Sequence, residues 1–159
     1  MNTDPKRELF RHTVATLAYR GGKAVRGAPE SFANFRPSET SRTPAQILAH
    51  IGDLLDWALS MARGAEKWQN SEPQSWAEDV ERFHTSLSRL DQYLASGEEL
   101  GTTCERLFQS AIADSLTHVG QLAMLRRIAG DPIKGENYSR ADIRSGRVGP
   151  EQTKPQFEF

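Results

Sequence analysis

Cysteine is almost missing from the chain: Cys104 is the single one among 159 residues. No intramolecular disulfide can form, and a reducing, cytoplasmic setting is expected. The opening residues Met1 to Glu8 are polar and carry both signs of charge, without the apolar run of a signal peptide. No window approaches the roughly 20 apolar residues that a membrane span requires, so no membrane partner is expected. Neither sign of charge dominates, with 20 Lys and Arg against 21 Asp and Glu and a formal net charge of −1. That balance excludes the basic surface of a nucleic-acid-binding protein. A Gly-rich phosphate loop, a nucleophile elbow, a CxxC pair and internal repeats are also absent. What remains, 37% hydrophobic and 26% charged residues, suits one folded domain over 1–159 that buries its own core.

No stretch alternates as a strand does, whereas helical spacing recurs along the chain. A first helix is expected over about 4–20, capped by Thr3 or Asp4 with Pro5 in its opening turn. Phe10, Val14, Leu17 and Ala18 form its apolar stripe, and Gly21-Gly22 ends it. A long loop from about Gly27 to Arg42 comes next, with Phe32 and Phe35 packing it back over one end of the body as part of a pocket wall. Thr43-Pro44 starts a second helix over 44–63. Ser75 with Glu78 forms a capping box for a third helix over 76–95, closed by Gly97. Thr102 or Thr103 caps a fourth helix over 103–129, stopped by Gly130 and Pro132, and Arg126-Arg127 suit the dipole at its end. The tail 131–159 is irregular, with Ile133, Tyr138, Ile143, Val148, Phe157 and Phe159 as anchors. The expected fold is all-α, an antiparallel-type four-helix bundle.

Chemistry concentrates on the fourth helix. Leu107, Ala111, Asp114, His118, Gln121/Leu122 and Leu125 follow the spacing of an inward stripe, which places an aspartate and a histidine on an apolar seam. His50 shares the inward stripe of Ile47, Ile51 and Leu54 on the second helix. A bound divalent ion would offset the cost of burying these groups, and two imidazoles with one carboxylate leave coordination positions open for water or substrate. The same pattern also fits a metal-free, hydrogen-bonded ion pair. His12 reads as a surface residue, His84 as partly exposed, Asp53 and Asp56 as outward or flanking, and Cys104 as inert despite its place in a first helical turn.

The segment Thr43-Pro44-Ala45-Gln46-Ile47-Leu48-Ala49-His50-Ile51, with His118-Val119-Gly120-Gln121 in a long last helix ending Leu125-Arg126-Arg127-Ile128-Ala129-Gly130, resembles the DinB-like superfamily over about residues 43–130. The resemblance implies a four-helix bundle, often a homodimer, that binds zinc, nickel or a similar divalent metal. The family's ligands are one histidine on the second helix and a His-x-x-x-His pair on the fourth. Some members are thiol-dependent S-transferases or isomerases that use low-molecular-weight thiols such as bacillithiol or mycothiol. His50 and His118 match two of those ligands, and Asp114 stands where the first histidine of the pair is expected. A carboxylate there adds negative charge and makes a bound ion less Lewis acidic. The implied activity is metal-dependent S-transfer or hydrolysis on a small-molecule substrate, with metal ligands His50, Asp114 and His118. Gln121 and Tyr138 are candidate pocket residues. The alternative is a non-catalytic bundle with a degraded metal site that binds a small molecule or a protein partner.

Overall fold

The computed structural model describes residues 4–159; Thr3, one of two expected caps, lies outside them. Asp4 caps α1 (Pro5–Val25), its carboxylate accepting the Lys6 N–H at 3.0 Å. Helix α2 (Pro44–Ala62) opens at the expected Thr43 cap, which Gln46 completes into a capping box, and α3 (Trp76–Ser96) opens with the expected capping box of Ser75 and Glu78. Gly97 ends α3 at φ 78°, the left-handed conformation that glycine adopts without steric cost. Helix α4 (104–128) starts at the Thr103 cap and runs through Cys104–Leu107, a π-helical turn Phe108–Ile112 and Ala113–Ile128. Among the described residues there is no strand, only an isolated bridge between Glu136 and Glu158 in the tail. Nor is any helix long and apolar enough to cross a membrane. The fold is therefore the expected all-α bundle. Fully buried side chains from every long helix fill it, among them Leu17, Leu48, Ile51, Phe83, Leu87, Ile112 and Leu122.

The helix directions correct the antiparallel expectation. Lys6 pairs with Glu105 near the start of α1 and α4, and Arg126 donates to the Ala24 and Arg26 carbonyls near their ends, so these two helices run parallel. Arg82 meets Asp53, and Ser86 meets Asp56, so α2 and α3 are also parallel. Between the pairs the directions oppose, as Arg11 with Asp91 and Gly21 with Phe83 show for α1 and α3. Two consecutive helices can run parallel only if the chain between them travels back along the first. The connection 63–75 does this: Lys67 N–H donates to Ser60, and Ser71 donates both N–H and Oγ–H to Asp53.

Gly21-Gly22 does not end α1. Each glycine inside a helix costs about 1 kcal/mol, and burying one large apolar side chain returns about 2 kcal/mol. A Cβ on Gly21 would stand 2.5 Å from Phe83 Cζ, so the missing side chain is what lets α1 and α3 close over that ring. Lys23, Ala24 and Val25 are buried beyond it.

The loop before α2 contains a 3-10 turn (Glu30–Asn34) that seats buried Phe32 edge-on against Trp76, with ring centroids 5.6 Å apart. The tail folds over α1 and α3. Tyr19 Oη donates to Glu136 at 2.6 Å, and buried Lys23 bridges Glu136 and Glu158 at 2.8 and 2.9 Å. Under the tail, His84 is buried rather than partly exposed, with Nδ1 3.4 Å from the Val148 carbonyl oxygen, and burial lowers its pKa. Phe159, expected as an anchor, is 86% exposed, its ring lying beside Gly135, where a Cβ would stand 2.7 Å from it.

Gly21→Val should lower the unfolding free energy by about 3 kcal/mol, since the Phe83 ring has no space to retreat into. Gly120→Ala, where nothing lies within 4 Å of the added Cβ, should raise it by about 0.5–1 kcal/mol. Urea denaturation of both variants checks the contrast.

Candidate metal centre

Helices α2 and α4 run in opposite directions, as the Gly101 N–H bonded to the Ala62 carbonyl at one end fixes. That pairing sets His50 opposite Asp114 and His118. His50 Nε2 lies 3.5 Å from Asp114 Oδ2, and His118 Nε2 lies 3.4 Å from Asp114 Oδ1. The two imidazoles meet edge-on, with centroids 4.8 Å apart. One ligand atom from each of the three residues falls within 4.8 Å of the others.

Gln121 Oε1 lies 2.7 Å from His118 Nδ1. With the amide oxygen accepting, the proton sits on Nδ1, and the Nε2 lone pair points toward Asp114. Burial lowers the His50 pKa, helped by the nearby His118 and Arg42 and opposed by Asp114. The consequence is a neutral imidazole at neutral pH, the form that ligates metals.

The 3.4 and 3.5 Å contacts are long for charge-assisted hydrogen bonds, which favour about 2.7–2.9 Å. They run to different oxygens of Asp114, so that its carboxylate spans the two imidazoles. Two imidazoles and a carboxylate within 4.8 Å of one another form a donor set that could hold a divalent ion.

Asp114 departs from the expected seam. Its side chain is 46% exposed, and the buried face of α4 beyond the π turn is Ser115, His118, Val119, Leu122 and Leu125. A π turn holds an extra residue and so rotates the later turns relative to those of an unbroken helix. Leu107 before the turn and Ala111 and Ile112 within it are fully buried, and Asp114 comes out on the flank, at the rim of a cleft.

That cleft, about 600 Å³, is lined by Ser41, Arg42, Ile47, His50, Asp114, His118, Gln121, Met124 and Leu125. The loop before α2 supplies part of its wall, as expected. On the other flank of His50 lies a smaller cavity of about 200 Å³, shared by Arg42, Gln46, Asp53, Asn70 and Ser71. Trp68, carried back by the connection, stands edge-on to His50 at 5.8 Å and to Trp57 at 5.6 Å.

The fold therefore brings together His50, Asp114, His118 and Gln121. Tyr138 does not join them. It packs edge-on against Tyr19, 6.3 Å between centroids, beneath the Arg20 guanidinium 4.2 Å from its ring; the buried Lys23–Glu136 pair holds the tail against α1 there, away from the cleft. Asp53 is buried rather than outward, because it accepts from Ser71 and Arg82. Arg82 gets there over Gly52, where a Cβ would stand 2.9 Å from the guanidinium. His12 is exposed, as expected. Cys104 lies in a separate groove between the starts of α1 and α4; burial, with Asp4 and Glu105 nearby, pushes its thiol pKa up, which agrees with an inert thiol. Arg42 and Trp68 are the neighbours that sequence reasoning missed. The Thr43-Pro44 helix start places Arg42 about two turns before His50, whereas Trp68 had no signal short of the helix directions.

In comparison with known families, the model of the DinB superfamily matches residues 20–125. Curated proteins and solved structures give no match.

Burial opposes ionisation of Asp53, yet the hydrogen bonds from Ser71 and the Arg82 guanidinium outweigh it and hold its pKa below 3.8. A depressed carboxylate pKa contributes stability above the unfolded-state value and loses it as pH falls through the folded-state value. Asp53→Asn should cost about 2 kcal/mol near neutral pH, and the gap to wild type should narrow below pH 3.8. Urea titrations across that range check the sign.

Proposed function

The chain belongs to the DinB superfamily, and on that premise we propose that it is a divalent-metal protein whose ion activates a thiol or a water for S-transfer or hydrolysis. His50 Nε2, an Asp114 oxygen and His118 Nε2 would hold the ion, with zinc or nickel best matched to two imidazoles and a carboxylate. The observation that carries the reading is the convergence of three ligand atoms within 4.8 Å at the wall of a cleft wide enough for a small substrate. When bound, such an ion lowers the pKa of a coordinated thiol or water toward neutrality.

The protein's own residues supply the rest. Gln121 fixes the His118 ring and tautomer, Ile47, Met124 and Leu125 give the cleft an apolar wall, and the rim position of Asp114 leaves one side open to an incoming molecule. The second reading is a metal-free bundle of the same fold, favoured by the half-exposed position of Asp114, where water can solvate the side chain without an ion.

The test is metal analysis of protein purified without a nickel column. Wild type should carry about one equivalent of divalent metal and lose thermal stability on chelation. His118→Ala should carry less than roughly a tenth of that, and Gln121→Ala should bind about 10–100-fold more weakly. Equal, sub-stoichiometric metal in wild type and His118→Ala would sink the proposal.

A further inference from the structure

We propose that Arg42 is the specificity determinant of the cleft and selects small substrates bearing a carboxylate or similar anion beside the reacting group. The inference deepens the reading above and rests on it for the role of the metal. Arg42 ends the loop before α2 and lines both cavities that flank His50. The guanidiniums of Arg7, Arg11, Arg82 and Arg126 each hold protein oxygens. Among the described residues, none engages Arg42, and the residue is exposed.

Charge favours the same conclusion. Among the described residues lining the larger cleft, the charged ones are Asp114 and Arg42. With a divalent ion in place, the cleft carries a formal charge of about +2, which a thiolate and one further anionic group would neutralise. A guanidinium fork matches a carboxylate in two parallel hydrogen bonds. Ile47, Met124 and Leu125 give the carbon chain between the two groups an apolar surface to lie on. A neutral thiol of the same length would leave the guanidinium unpaired.

The experiment compares 3-mercaptopropionate with 3-mercapto-1-propanol on cobalt-substituted protein, reading the near-ultraviolet thiolate-to-cobalt band. The same ligands are titrated against metal-free protein by following the Arg42 Nε–Hε resonance, assigned by its loss in Arg42→Ala. Wild type should bind the carboxylate thiol about tenfold more tightly, with the preference falling to within about twofold in Arg42→Ala and partly kept in Arg42→Lys. A preference near one in wild type, or one undiminished in Arg42→Ala, overturns the proposal. If neither thiol produces the cobalt band, the thiol half of the metal reading fails. The resonance titration then still decides Arg42: a shift with the carboxylate thiol alone supports its role, and no shift overturns it.

Discussion

Much of this protein depends on a single buried carboxylate. Asp53 on α2 accepts from the Ser71 backbone and hydroxyl and from Arg82 on α3, and so ties together a helix, the chain that retraces it and the next helix. Parallel neighbours leave a long connection with few apolar side chains to hold it down. A buried charge with three donors on it is a strong substitute, because removing any one partner leaves that charge at a cost. Once the connection is fixed, Trp68 comes to rest beside His50, and the smaller cavity on that flank acquires its wall from Asn70 and Ser71.

Local signals in the sequence proved strong wherever the determining physics is local. The capping boxes at Thr43 and Ser75 and the glycine after α3 mark helix ends through contacts spanning a few residues. His50, Asp114, His118 and Gln121 could be picked out because polar groups on or beside an apolar stripe are conspicuous against 3.6-residue spacing. Their convergence also needed α2 and α4 to face each other, which the family resemblance supplied.

Long-range effects were illegible for a corresponding reason. Gly21-Gly22 has the chemistry of a helix end, and only the Phe83 ring of a helix some sixty residues away reveals why the helix continues. His84 looked partly exposed until the tail covered it, and Asp53 looked outward until Arg82 crossed Gly52 to reach it. The π turn has no composition of its own in Phe108–Ile112, yet it decides that Asp114 stands at the cleft rim.

The parallel pairing of α1 with α4 has a kinetic consequence. Its contacts, Lys6 with Glu105 and Ala24 with Arg126, span 99 and 102 residues, and the length-dependent entropy of closing a loop that long is about 4 kcal/mol. The contacts of α2 with α3 span about 30 residues and close at lower cost. The contact of α1 with α4 is thus a longer closure than that of α4 with α2, where Gly101 and Ala62 stand 39 residues apart. Because α4 brings both Asp114 and His118, the three-residue cluster cannot exist in any partly assembled chain that lacks it.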